Sequence, residues 1–127
     1  MKYAVGIDVG GTNTRVALIN EEYEILERKQ FSTSPDNPDE TMKKIQDIIE
    51  SFEVSVEGIG ISCPGPLDLL KGIILTPPNL PGWHNYHLTE ELAKVTGIPV
   101  YLENDANLAC LAEAAIGAGK DKNYVQF

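Results

Sequence analysis

Tyr3-Ala4-Val5-Gly6-Ile7-Asp8-Val9, then Gly10-Gly11-Thr12-Asn13, then Thr14-Arg15-Val16-Ala17-Leu18-Ile19: two apolar, β-rich runs meet across a glycine pair, and this stretch decides the fold. A third run, residues 24–31, follows the polar turn Asn20-Glu21-Glu22. Connections this short favour antiparallel neighbours, so the chain opens with a three-stranded meander.

Beyond the meander the period changes. The breaker cluster Ser34-Pro35-Asp36-Asn37-Pro38 ends the third run. Asn37 suits an N-cap, Pro38 the first helical position and Glu40 the capping-box position. Met42, Ile45, Ile48, Ile49 and Phe52 recur at helical spacing and predict one buried face. Residues 56–62 read as a buried strand thinned by glycines. Residues 67–75 read as a hairpin centred on Lys71-Gly72, and 76–83 as an irregular loop, because its three prolines forbid regular pairing. A helix with Leu88, Leu92 and Val95 on one face stops at Gly97. A strand over 99–103, an alanine-rich helix over 106–116 ending at Gly117-Ala118-Gly119, and a strand beginning at 124 complete the order. A meander followed by alternating helix and strand predicts an α/β fold with a mixed sheet and helices packed on it.

At 127 residues the chain is long enough for one core. Its longest apolar stretches fall far short of the ~20 residues a membrane span requires, and the N-terminus lacks the pattern of a secretory signal. The expectation is a soluble, cytoplasmic protein with no membrane partner. Ten basic residues against 19 acidic ones leave a net charge of −9, which repels a nucleic-acid backbone. Phosphate must then be held by backbone N–H groups or a metal. Cys63 and Cys110 are expected to be reduced, buried and inert.

Three segments could carry chemistry. Asp8-Val9-Gly10-Gly11-Thr12-Asn13 sets a carboxylate at a strand end, then two glycines that expose consecutive N–H groups, then a hydroxyl. These are the means to hold phosphate oxygens and a hydrated Mg²⁺. A side chain at position 11 should intrude on that phosphate and leave a sugar site largely intact. A plain hairpin turn in which the glycines supply positive φ fits the same residues. In Glu103-Asn104-Asp105, Asp105 falls at the positive end of a helix, where it can take a proton from a substrate hydroxyl, while Asn104 can donate to and accept from a second one. An ordinary N-cap fits Asp105 equally. The prolyl loops Cys63-Pro64-Gly65-Pro66 and Pro78-Asn79-Leu80-Pro81-Gly82-Trp83 suit recognition of a polyhydroxy ligand, or loop rigidity with Trp83 as an anchor. His84 and His87 have the spacing of a one-turn metal pair, but no cluster of further ligands accompanies them.

In this order, residues 5–12, Pro64-Gly65-Pro66, residues 78–83, Glu103-Asn104-Asp105-Ala106-Asn107, Ala112-Glu113 and Gly117-Ala118-Gly119 resemble the N-terminal half of the ROK family (repressors, open reading frames and sugar kinases), in the actin-like ATPase and sugar kinase superfamily. The resemblance implies a ribonuclease-H-like lobe and a glucokinase-like transfer of the ATP γ-phosphate to a hexose hydroxyl. Asp8, Gly10, Gly11, Thr12 and Asn13 then form the first phosphate loop, with Asp8 reaching Mg²⁺ through water. Asp105 is the catalytic base, and Gly65, Asn79, Asn104 and Asp105 contact the sugar. Residues 1–127 would be a single N-terminal lobe. A second lobe, with another phosphate loop, the adenosine site and often a zinc site, would lie outside the chain. The lone lobe is expected to be inactive and to expose an apolar patch that promotes self-association, giving a homo-oligomer. Two rivals are a non-catalytic sugar-binding module and the sugar-sensing domain of a ROK-type repressor. The repressor needs a DNA-binding domain ahead of Asp8, where only seven residues stand. The intact Asp8, Gly10, Gly11, Thr12 and Asp105 count against the silent module.

Overall fold

The computed structural model describes residues 2–63, 66–75, 77, 79–104 (of Asn104 the backbone only), 108, 110, 111 and 115. The predicted strand from 124, the Gly117-Ala118-Gly119 stop, Ala112-Glu113, Gly65 and Asp105 lie outside these residues.

The meander forms as read. Strands β1 (Tyr3–Val9), β2 (Asn13–Asn20) and β3 (Ile25–Ser32) pair antiparallel in sequence. Helix α1 (Pro38–Ser51) starts at an Asn37 cap whose side chain accepts a hydrogen bond from the Glu40 amide at 3.2 Å. Strand β4 (Val56–Cys63) then lies parallel to β1 on the side away from β2. A small hairpin of β5 (Leu67–Asp68) and β6 (Ile73–Ile74), a 3-10 turn (Pro81–Trp83) and helix α2 (Leu88–Thr96) lead to β7 (Val100–Asn104), parallel to β4. The sheet order is β3-β2-β1-β4-β7. This mixed five-stranded sheet is the α/β, ribonuclease-H-like arrangement expected from the sequence. Edge strand β3 is exposed along most of its length and carries Glu27, Arg28 and Lys29, charges that discourage edge-to-edge pairing.

The alternation of each strand sends its side chains to two different layers. Val5, Ile7, Val9, Val16, Leu18, Ile59, Ile61 and Leu102 face α1 and α2, where Met42, Ile45, Ile49, Phe52, Leu88 and Leu92 meet them. Val95 departs from expectation: it shares the stripe of Leu88 and Leu92 but is 36% exposed. Periodicity names the face of a helix, not how far along it the opposing surface reaches, and Val95 is in the last turn.

On the other face Ala4, Ala17 and Ile19 pack with Ala115, Leu108 and Tyr101. Leu108, Cys110, Leu111 and Ala115 are helical, in agreement with the predicted 106–116 helix. The glycines of β1 and β4 let this helix lie directly on the sheet. A Cβ on Gly6 would stand 2.7 Å from the carbonyl oxygen of Leu108, one on Gly58 3.1 Å from that of Ala115, and one on Gly60 would collide with the carbonyl of Leu111. The expectation of two buried thiols holds for Cys63 and fails for Cys110, which is exposed. Leu108, Leu111 and Ala115 share the sheet-facing stripe, and position 110 falls off it.

Candidate active site

Strands β1, β4 and β7 run parallel, so their carboxyl ends meet at one edge of the sheet. Asp8 is level with Ser62, Ser62 with Glu103, and Cys63 with Asn104. The strand ends at Asp8, Cys63 and Glu103, where the three predicted segments begin, are therefore side by side. In open α/β sheets this carboxyl edge is where ligands bind. Asp105 and Gly65 continue from β7 and β4 in sequence but lie outside the described residues.

The first loop connects the β1–β2 hairpin, but not as a turn in which the glycines supply positive φ. Neither Gly10 nor Gly11 has a φ in the left-handed region that an ordinary two-residue hairpin loop uses. Backbone freedom is therefore not what glycine contributes at position 11. A Cβ there would stand 3.0 Å from the Cβ of Asn79. Gly11 is the point where the first loop and the prolyl loop touch. The loop closes through the Gly10 amide, which donates to the Asn13 carbonyl at 2.8 Å, while the amides of Gly11 and Thr12 have no hydrogen-bond partner among the described residues. Two consecutive N–H groups without a partner among the described residues are available to donate to an anion.

Both loops rest on residues 33–36. The Thr33 amide donates to the Thr12 carbonyl at 2.9 Å, and the buried hydroxyls of Thr14 and Thr33 are 2.7 Å apart. Trp83 is fully buried and its indole Nε1 donates to the Ser34 carbonyl at 2.8 Å, as an anchor should. The Gly82 amide donates to the Pro35 carbonyl at 2.9 Å, so close that a Cβ on Gly82 would collide with the carbonyl of Asp36. Leu80 is fully buried. Asn79 is exposed between these anchors, held against Gly11. The β3–α1 connection thus sets the distance between the two loops, and the sequence reading assigned it no such part.

Arg15 was also missed. It stands opposite Asp8 in the β1–β2 register, its guanidinium 3.5 Å from the Asp8 carboxylate, and its Nε donates to Gln30 at 3.3 Å. Both partners are partly solvated, so the pair adds little stability. It does place a cation at an edge where the charge count suggested none. The signal was available: a hairpin closed at Gly10 and Asn13 pairs 9 with 14 and 8 with 15. Below Asp8, burial and the nearby carboxylate push the Cys63 thiol well above its ordinary range, so it stays protonated and inert.

The ROK family model matches residues 4–127. The chain belongs to the ROK family. Among its relatives, a glucokinase of Thermotoga maritima is 39% identical over 124 residues, which cover 95% of this chain and 39% of that protein. The crystal structure of a ROK hexokinase from Thermus thermophilus superposes with a TM-score of 0.73 at 33% identity, covering 83% of this chain and 36% of the other. A ROK glucokinase from Streptomyces griseus, solved in complex with glucose and AMPPNP, does so with a TM-score of 0.67 at 31% identity, covering 83% and 34%. The chain spans about two-fifths of the length of the curated relatives it matches. The loops at the carboxyl edge are thus those of a ROK-family fold shared with sugar kinases.

Proposed function

We propose that this chain is the N-terminal lobe of a two-lobed, ATP-dependent hexose kinase, and that the edge formed by Asp8, the 10–13 loop, Asn79 and the 103–105 segment is its half of the active site. The observation that carries this reading is the contact of Gly11 with Asn79, which sets the loop of the Gly11 and Thr12 amides, without a partner among the described residues, against the exposed side chain of Asn79. A kinase needs a phosphate and a hydroxyl acceptor held side by side, since phosphoryl transfer asks mainly for positioning and charge stabilisation.

In this reading the amides of Gly11 and Thr12 hold phosphate oxygens, with Gly10 and Asn13 closing the loop. Asn79, Asn104 and Gly65 bind hexose hydroxyls. Asp105 takes the proton of the acceptor hydroxyl as its oxygen forms a bond to the γ-phosphorus and the bond to the β-γ bridging oxygen breaks, giving a sugar phosphate and ADP. The donor set at Asp8, a partly exposed carboxylate at a strand end, fits a hydrated Mg²⁺. That ion would supply charge neutralisation at the phosphates.

The test is sugar-dependent ADP release. A complete two-lobed protein carrying this sequence, purified from a host lacking glucokinase, is expected to phosphorylate a hexose, and the 127-residue chain alone to release no ADP. Failure of the complete protein on glucose, mannose, fructose and N-acetylated hexoses, or turnover by the chain alone, would overturn the proposal.

The geometry at Gly11 also changes what a substitution there should do. The sequence suggested that Gly11→Val would spare the sugar side. Because its first side-chain atom would press on Asn79 at 3.0 Å, the variant is expected to lose kcat/KM for both ATP and hexose, each on the order of 10²-fold, the cost of a ~1 Å misplacement. Steady-state kinetics with each substrate varied separately measure this. A loss confined to ATP would show that the two loops are not coupled.

A further inference from the structure

The two prolyl loops belong to one folded unit. After the β5–β6 hairpin the chain returns, so that Ile74 and Tyr86 exchange backbone hydrogen bonds at 2.9 and 3.0 Å. The Leu75 amide donates to the Pro66 carbonyl at 3.0 Å, and the Asn85 amide to the Leu75 carbonyl at 2.9 Å. Pro66, which follows Gly65 in sequence, and Asn79 are therefore carried by the same small framework, with Asn85 and Tyr86 as its last pairing residues.

The framework stands outside the five-stranded sheet and joins the core through Ile74, Leu80 and Trp83, all fully buried. Apolar packing is non-directional, so the angle at which the unit meets the rest of the lobe is left to hydrogen bonds. The Gly82 amide and the Trp83 indole bond to the adjacent carbonyls of Pro35 and Ser34 and make one point of attachment. The hairpin tip is tied to α2, where the Thr89 amide donates to the Gly72 carbonyl at 3.3 Å. A further point is made by side chains alone: the Tyr86 hydroxyl donates to the carboxylate of Asp39, in the first turn of α1, at 2.7 Å. Burial, then the bond to Asp39, pushes the Tyr86 phenol well above its ordinary range, so the hydroxyl keeps its proton and remains the donor. The Tyr86 ring also lies against Trp83, with centroids 5.7 Å apart at 60°. One residue thus joins the framework, the buried anchor and α1. The 10–13 loop has a separate support in Thr33, which bonds to Thr12 and Thr14. Rocking of the 66–86 unit would therefore displace the sugar side and leave the phosphate side in place.

We infer that Tyr86 and Asp39 are a positioning pair for the hexose: their hydrogen bond sets the angle between the 66–86 unit and α1, and with it the placement of Asn79 and of the loop ending at Pro66 opposite the phosphate loop. Both act through the loops they hold and not on the sugar itself. The inference rests on the kinase reading above and adds two residues to it.

The test is calorimetric titration of the two-lobed protein with AMPPNP and, separately, with whichever of glucose, mannose, fructose and an N-acetylated hexose the parent binds most tightly. Tyr86→Phe, which keeps the ring against Trp83, and Asp39→Ala are each expected to weaken hexose binding about tenfold, a fraction of the ~10²-fold that a ~1 Å misplacement costs. The double variant should bind hexose no more weakly than either single one, because all three lose the same bond. Asp39→Asn still presents an accepting oxygen and should stay near the parent value. AMPPNP affinity should be unchanged in all four. Parent-like hexose affinity in Tyr86→Phe or in Asp39→Ala would overturn the inference and leave the kinase reading intact. Losses that multiply in the double variant would also overturn it, because the two residues would then act separately. Equal losses of hexose and AMPPNP affinity would do the same, by making the bond merely structural. A parent protein that binds no hexose, or no AMPPNP, would remove the kinase reading and this inference together.

Discussion

Asp105→Asn in the two-lobed protein is expected to abolish most turnover while leaving the fold and sugar affinity almost untouched. Asparagine caps a helix as well as aspartate does, so the exchange should cost no more than a few tenths of a kcal/mol of stability. It cannot take the proton of the acceptor hydroxyl, and loss of a positioned general base removes about 10²–10⁴ in rate. The effect should appear in kcat and kcat/KM together, the mark of an interaction made in the transition state. Two measurements separate catalysis from capping: the melting temperature and the rate per folded molecule. A variant that melts early but turns over normally per folded molecule would make Asp105 a structural cap, and the base would have to be another group on this edge.

The second large effect concerns the sheet and not the site. Gly60→Val should destabilise the protein by about 3 kcal/mol or more, because the first side-chain atom would collide with the Leu111 carbonyl oxygen and stand 2.7 Å from its carbon and 2.9 Å from the Leu111 Cβ. These are backbone or near-backbone atoms on a helix, and they cannot rotate aside. The helix would have to lift from the sheet along its length. In a domain of this size the loss corresponds to a fall of roughly 10 °C in melting temperature. Gly58→Ala meets Ala115 at 3.1 Å and should cost distinctly less, with Gly6→Ala, at 2.7 Å from Leu108, in between. Thermal unfolding of the three variants checks the order. Equal melting temperatures for Gly60→Val and Gly58→Ala would show that the helix does not seat on the sheet in this way.

The same glycines show how far the sequence can be read. Gly58 and Gly60 were visible in the 56–62 run and marked that strand as thin, and Gly6 was visible in the first strand. What lay against them was not, because Leu108 and Leu111 are about 100 and 50 residues away in the chain from Gly6 and Gly60, the glycines they cover. Asn79 is a similar case. Its amide and its prolyl loop were legible as a sugar-binding candidate, yet its contact with Gly11 depends on Trp83 and Gly82 docking on residues 34–36, a long-range event.

The sequence by itself determined what is governed by neighbours a few residues apart. The β1–β3 meander follows from short polar turns, the start of α1 from the Asn37 cap and Pro38, the end of α2 from Gly97 in its left-handed conformation, and the β5–β6 hairpin from Gly72. Those signals act within one turn of helix or one hairpin, and the family resemblance rests on such local motifs. Only the tertiary structure decided which motifs share an edge and which faces are covered. The parallel register of β1, β4 and β7 sets Ser62 between Asp8 and Glu103, and the absence of positive φ at Gly10 and Gly11 separates that loop from an ordinary hairpin turn. Val95 and Cys110 are exposed because the opposing surface stops or turns away. A register shift of one residue would reverse every side chain of a strand. That register is set by the whole sheet and its helices packing together, which no local pattern in the chain records.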